Sequence, residues 1–329
     1  MTSGTVAGRP RLGLTALLLR WEWLLVLLLI LACLINATVS PYFLDVRNLF
    51  DMTFNFMERS IIALPMAFII VSANIDLSVA SALAMSAVLM AVSFKAGLNI
   101  WLAALLGLAI GALGGLVNGV LTAKVRLPSL VVTLGTFALY RGVAFVVLGD
   151  KAVTGFPPEF TYLGQGYIPG TPVPVPLVIF AVLTVPFGLL LHRTTFGRFV
   201  YAIGSNEQAC RYSGVAVGRI KIILFVMSGF MSALAGIILA ARFGSTRPNI
   251  ATGFELDVIT AVVLGGVDIF GGEGNMVGVV LALFLIGVAR FGMSLKNVPG
   301  QVQTTVIGAL LILAILLPQL LRRLARGEG

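Results

Sequence analysis

Residues 194–221, TTFGRFVYAIGSNEQACRYSGVAVGRIK, form a long hydrophilic and basic insertion in a chain that is otherwise mostly apolar. The insertion carries Arg198, Arg211, Arg219 and Lys221 against a single acid, Glu207. Short basic loops are retained on the cytoplasmic side of a membrane, so this one is expected to face the cytosol. Ser205, followed three residues later by Gln208, has the pattern of a capping box, in which each side chain satisfies a backbone N–H left orphaned by the first helical turn. Gly214, just past Ser213, supplies the left-handed residue that closes a helix. Two turns of helix between membrane spans are too short to be a domain. The marked ends leave two readings open: a structured loop with no partner, or a docking helix for a soluble subunit.

On both sides of the insertion the composition suits lipid. Of 329 residues, 59% are hydrophobic and 11% charged, and the mean hydropathy is +1.05. That is more apolar surface than a water-soluble globule buries, so an all-α polytopic membrane protein is expected. No soluble domain fits, because the longest loops reach only about thirty residues against the roughly 50 that a small domain needs. The net charge of +9 does not point to nucleic acid, since the basic residues stand at the ends of apolar runs, where they act as topology signals. Cys33 lies in an apolar run and Cys210 in the basic loop, so no disulfide is expected. Arg9, Arg11 and Arg20 ahead of LLVLLLILAC read as the flank of an uncleaved signal anchor, because further spans follow.

A span needs about 20 apolar residues, and the charges cut the chain into such pieces. The first is 23–42. Residues 60–94 are apolar except at Asn74-Ile75-Asp76, which suits two spans meeting at a tight polar turn, or a helix broken inside the membrane, with Asp76 or Ser78 capping the second piece. An ionisable residue here is costly unless it faces water or a partner, so Asp76 is a functional-site candidate; the plainer alternative is an N-cap at the interface. In 96–123, Gly107, Gly111, Gly115 and Gly119 recur every four residues and form a smooth stripe that lets another helix approach closely. Asn118 lies beside it. Pro128 opens the next span, whose polar members are Thr133, Thr136 and Arg141, the last placed to snorkel. Residues 150–173, rich in Pro, Gly and aromatics, are expected outside, with Tyr162 and Tyr167 at an interface. His192, ending the next span, has no companion at ligand spacing. Beyond the insertion, 222–241 carries Gly229, Ser232, Ala233 and Gly236; two spans then flank a glycine-rich turn, and 297–321 crosses inward to Arg322, Arg323 and Arg326. The sum is about ten transmembrane helices with both termini inside. An acid opening an apolar run in each half, Asp76 and Asp257, is the trace an internal inverted repeat would leave.

Missing chemistry narrows the function. There is no GxxxxGK[ST] to hold a nucleotide's phosphates, no HExxH or Cys/His cluster, and no GxSxG ahead of a triad, so neither an enzyme nor a metal or cofactor site is expected. An ion-coupled carrier usually buries several carboxylates in its spans, and here Asp76 is the serious candidate. The chain lacks its own energy source while presenting a capped cytoplasmic helix.

Four blocks resemble the permease subunits of ribose-type ABC importers: NIDLSVAS from Asn74, NGVLTAKVRLPSLVVTLGTFALYRG from Asn118, GRFVYAIGSNEQACRYSGVAVGRIK from Gly197 and FELDVITAVVLGGVDIFGGEGN from Phe254. GSTRPNIATGF from Gly244 and VPGQVQTTVIGALLI from Val298 resemble the autoinducer-2 and rhamnose types most. The resemblance implies a single permease domain over 1–329, with a cytoplasmic N-terminus 1–20, a coupling loop 193–221 and a cytoplasmic C-terminus 322–329. It implies import of a monosaccharide or sugar-like solute across the bacterial inner membrane. The implied partners are cytoplasmic ATP-binding subunits, a second permease copy or paralogue, and a periplasmic or lipid-anchored sugar-binding protein. Ser205, Asn206, Glu207, Gln208, Arg211 and Gly214 map to the ATPase-coupling segment, and Asn74, Asp76, Ser78, Asn118, Thr133 and Thr136 to the translocation path. Asn74 departs from the pattern, since these permeases usually carry glycine before Ile-Asp. The competing class is a self-contained secondary carrier or facilitator for a small polar solute.

Overall fold

The computed structural model describes residues 21–309 and residue 312. Arg9, Arg11 and Arg20, residues 310, 311 and 313–321 of the expected span 297–321 and the tail 322–329 lie outside the described residues. In chain order the helices are α1 (Trp21–Val39), α2 (Val46–Asp51) followed by a 3-10 turn (Met52–Asn55), α3 (Met57–Val71), α4 (Val79–Lys95), α5 (Ile100–Ala123), α6 (Ser129–Leu148), α7 (Pro158–Gln165), α8 (Val175–Arg193), α9 (Thr195–Ser205), α10 (Glu207–Tyr212), α11 (Val217–Phe243), α12 (Phe254–Leu264) and α13 (Met276–Leu295). Residues 300–309 are again helical. Two short strands, β1 (Val153–Thr154) and β2 (Ser245–Thr246), pair antiparallel.

Among the described residues, α1, α5, α6, α8, α11 and α13 are each long and apolar enough to cross a bilayer, and the α2–α3 pair, bent by 58°, adds a seventh if it is one span. The protein is therefore an all-α, multi-pass membrane protein, its described residues holding six or seven spans by length. Three further apolar helices are shorter: α4 has 17 residues, α3 has 15 and α12 has 11. At 1.5 Å per residue α3 and α12 are about 22 and 16 Å long, less than a hydrocarbon core of about 30 Å.

The axis of the bundle is α11. Its 27 residues span about 40 Å. Lys221, in its first turns, pairs with Glu207, and Arg242, in its last, pairs with Glu58. These two ion pairs mark opposite ends of the bundle, hereafter the basic end and the far end. Between them α11 packs on α5 through the expected glycine stripe. A Cβ on Gly115 would overlap the Phe225 carbonyl, one on Gly111 would overlap Ala233, and one on Gly229 would overlap the Gly111 carbonyl. Hydrophobic transfer does not drive helices together inside lipid, so close van der Waals approach of this kind is what stabilises the pair.

The polar break in residues 72–78 is a turn at the basic end. The Gly272 amide donates to the Val71 carbonyl (2.8 Å), and Gly204, in α9, sits against both groups. Ala73, not Asn74, takes the left-handed conformation (φ 57°) that ends α3. Its amide donates to Ile70 O and that of Asn74 to Ile69 O, satisfying the last carbonyls of the helix. The glycine that the resemblance would place at position 74 is thus not needed here for a positive φ.

At the far end, Arg141 does not snorkel. Its Nη1 donates to the carbonyls of Pro248 (2.6 Å) and Ile250 (2.8 Å), and its Nη2 to Ala80 O (3.3 Å). Tyr162 and Tyr167 fasten their own loop: Tyr162 OH donates to Tyr167 O and Tyr167 OH to Asp51.

Candidate functional site

The basic insertion folds as two helices rather than one. Thr194 caps α9, its hydroxyl accepting from the Gly197 amide (3.2 Å), and Gly197, Val200 and Ile203 form the buried face. The chain then turns at Asn206 into α10. The expected capping box does not form, and a simple cap one residue on replaces it: Asn206 Oδ1 accepts from the Ala209 amide (2.9 Å), while Ser205 is the last residue of α9 and donates to Tyr201 O. Both residues are good caps; the amphipathic run of α9 through Ile203 decides between them. Gly214 closes α10 as expected, with φ 80°, its amide donating to Arg211 O and that of Val215 to Cys210 O.

Glu207 holds this element to the bundle. One carboxylate oxygen accepts from Arg211 Nε (3.1 Å) and Nη2 (2.6 Å), and the other from Lys221 Nζ (2.7 Å). Burial pulls the Glu207 carboxyl upward, but hydrogen bonds from Lys221 and Arg211 and their charges outweigh it and hold the group below its ordinary value. Lys221 is only 8% exposed, so Glu207 supplies the partner that a buried ammonium requires. A cavity of about 790 Å³ lies beside the clasp, bordered by Glu207, Arg211, Tyr212 and Lys221 on one side and by Ala73, Asn74 and Ser129 on the other. Gln208 also borders it, and Tyr212 is 91% exposed.

Behind that cavity four of the six expected path residues gather in one buried cluster. Asp76 Oδ1 accepts from the Ser78 amide (2.9 Å) and hydroxyl (2.6 Å), and Oδ2 from the Ser228 hydroxyl of α11 (2.8 Å). Asn118 of α5 donates to Ser78 Oγ (2.8 Å). Ser129 Oγ accepts from the Ile75 amide, and Thr133 Oγ1 donates to Ser129 O and, at 3.3 Å, to Ile75 O. Thr136, one turn further, is spent on the Val132 and Thr133 carbonyls of its own helix, and Asn74 bonds to Ser72. Asp76, Ser78, Asn118 and Thr133 therefore meet, joining α4, α5, α6 and α11; Asn74 alone of the six borders the open cavity.

Ser228, Tyr140 and Tyr201, which the sequence did not single out, complete the site together with His192. Ser228 and Tyr140, whose hydroxyl donates to Gly114 O (2.8 Å), extend the Asp76 network. At the junction of α8, α9 and α13, His192 Nε2 accepts from the Met276 amide (3.1 Å) and Tyr201 OH donates to Gly274 O (2.7 Å). No local pattern announces such partners.

This architecture, helices too apolar for water around a clasped basic loop, defines a multi-pass membrane protein that offers an ordered surface at one face. The comparisons make that more specific. The chain belongs to the family described as branched-chain amino acid transport system / permease component, which it matches over residues 48–315. It is similar to the autoinducer 2 import system permease protein LsrD of Enterobacter sp. (strain 638), 36% identical over 304 residues that cover 91% of this chain and 92% of that one. It is 38% identical to the LsrD protein of Escherichia coli (strain K12) over 301 residues, 90% of this chain and 91% of the relative. No solved structure matches. The chain is thus an inner-membrane transport permease rather than an enzyme.

Proposed function

We propose that the chain is the transmembrane subunit of an ATP-driven importer for a monosaccharide or sugar-like solute, of the kind its relatives' name, autoinducer 2 import permease, describes. ATP is hydrolysed in separate cytoplasmic subunits that bear on α9 and α10. A second permease, a copy or a paralogue, completes the path, and a periplasmic or lipid-anchored binding protein delivers the solute. Residues 1–329 act as one domain. The basic end, with Arg198, Arg211, Arg219 and Lys221, lies in the cytosol by the rule that positive loops stay inside, and both termini lie there too.

Under this reading α1, α3, α4, α5, α6, α8, α11, α12, α13 and the helix beginning at residue 300 make ten crossings, the short ones completed by the polar breaks beside them. Asp76 precedes a helix that starts at the basic end and Asp257 lies in the first turn of one that starts at the far end, which supports an inverted relation between the two halves.

One observation carries the coupling role. Glu207 ties α10 to the start of α11, and Ser228 of α11 bonds Asp76 in the α3–α4 turn. A force on α10 is therefore delivered to the helix that holds the path network. Ser205, Asn206, Glu207, Gln208, Arg211 and Gly214 act in coupling; Asn74, Asp76, Ser78, Asn118, Thr133 and Thr136 shape the path. The test is copurification of ATP-binding subunits from native membranes, with uptake in vesicles. Uptake is expected only with those subunits and ATP, and Glu207→Ala with Arg211→Ala is expected to abolish it while membrane insertion persists. Uptake by the chain alone would establish a self-contained carrier instead.

A further inference from the structure

At the far end a cavity of about 410 Å³ opens between α3, the end of α11 and the loop 244–253, lined among others by Arg59, Arg242, Arg247, Asn249, Thr252 and Phe254. No carboxylate lines it. Glu58 and Asp257 hold two of its arginines from behind: Arg242 Nη1 donates to both oxygens of Glu58 (3.2 and 3.1 Å), and Arg59 Nε lies 2.9 Å from Asp257, whose other oxygen accepts from Arg290. A guanidinium carries five N–H donors. Arg59 also gives one Nη1 donor to Asn55 O (2.7 Å), and both Arg59 and Arg242 keep further donors while their charge is matched.

The wall is held rigidly. The Arg59 guanidinium stacks 3.9 Å over the Phe254 ring, and Arg141 pins the loop through Pro248 and Ile250. Ala251 is left-handed (φ 58°), a conformation that strains a non-glycine residue and persists only where the surroundings enforce it.

We propose that this cavity is a binding subsite for a neutral, hydroxyl-rich solute of monosaccharide size, with Arg59, Arg242 and Asn249 donating to its hydroxyl oxygens. The volume falls within the roughly 300–1,000 Å³ of small-molecule pockets. The lining offers donors in excess, which suits an acceptor-rich solute, while an anion would compete with Glu58 and Asp257 for Arg242 and Arg59 and be left with the exposed Arg247. The subsite rests on the import reading and deepens it.

The test uses the assembled transporter, with its ATP-binding subunits and binding protein, in proteoliposomes, and labelled D-ribose, L-rhamnose and autoinducer 2 as probes. Asn249→Trp and Thr252→Trp fill the cavity. Each is expected to lower uptake of the transported probe at least tenfold, with membrane yield and copurification of the ATP-binding subunits unchanged. Asn249→Ala, which leaves the space open, is expected to raise the half-saturating concentration several-fold. Uptake within twofold of the parent in both tryptophan variants overturns the subsite alone. So does stronger competition by a phosphorylated sugar than by its neutral form. A parent transporter that takes up no probe with ATP overturns the import reading, and the subsite with it.

Discussion

Replacing Glu207 by Gln tests whether the coupling loop is held by its clasp. The change removes the partner of Lys221, which is 8% exposed, and of Arg211, which sits near the surface with 36% of its side chain exposed. A buried charge stripped of its partner costs about 3–5 kcal/mol, and an exposed pair is worth about 0.2–1. With 34% of the Glu207 side chain exposed, the clasp falls between these limits, at about 1–3 kcal/mol. Cys210 provides the readout, because it lies in α10 and is 8% exposed. In a Cys33→Ser background its alkylation by a maleimide requires α10 to lift. If opening and closing are fast relative to alkylation, 1–3 kcal/mol accelerates the reaction about 5- to 150-fold at fixed pH. Lys221→Met removes the buried charge together with the need to match it, so it is expected to accelerate alkylation less than Glu207→Gln does. Equal rates in the two variants, or a Glu207→Gln rate within twofold of the parent, would refute the reasoning. The sign with pH also follows. The folded Glu207 carboxyl is held below its ordinary value, so the clasp's contribution is complete above the ordinary value of 4.5 and is lost only as the pH falls through the lower folded value.

Three further outcomes are expected. Asp76→Asn should keep the fold, because the Ser228 hydroxyl can rotate to accept, whereas Asp76→Leu leaves the Ser78 amide and two hydroxyls without an acceptor at about 1–3 kcal/mol each; thermal unfolding in detergent checks it, and a parental transition in Asp76→Leu contradicts it. Gly115→Leu should separate α5 from α11 and lower the yield of folded protein sharply, since even a Cβ there overlaps the Phe225 carbonyl, while Gly135→Ala, which meets nothing within 4 Å, should not. Ala73→Gly should raise stability by up to about 1 kcal/mol, because it relieves the left-handed residue ending α3; a lower melting temperature would show that the Ala73 methyl contributes more than its backbone costs.

What was legible in the sequence is what repeats or ends locally. The stripe at Gly107, Gly111, Gly115 and Gly119 is a helix periodicity, and the contact with α11 follows from it. Gly214 is a one-residue signal with one backbone meaning. The break at Asn74-Ile75-Asp76 was visible as polarity, but not the residue that turns the chain. A left-handed alanine has no sequence signature, so the departure at Asn74 drew attention to the wrong neighbour. Pairs distant along the chain were illegible for a plain reason: Arg59, Asp257 and Arg290 come from three helices and meet only because α3, α12 and α13 bring their far ends together. Glu207 and Lys221 are separated by the α10 turn, and each, alone, reads as a solvated loop charge.

The middle of α11 differs from its two ends in a way that bears on how the proposed importer would work. Along its middle the helix meets α5 through glycine and alanine, a surface with few side chains to interdigitate and so little to repack if the helices shift. Its ends are fixed by charge: Lys221 to Glu207 at one, Arg242 to Glu58 at the other. A rod smooth in the middle and anchored at its tips can tilt as a body, carrying Ser228 and hence Asp76 with it, and small sliding of packed helices is an established mode of transporter-scale motion. Under that mode a displacement imposed on α10 reaches the far cavity through Arg242, which lines it. Glu58, which holds Arg242 at that tip, then acts as the hinge pin, and Glu58→Gln should lower the solute taken up per ATP hydrolysed without touching the coupling loop.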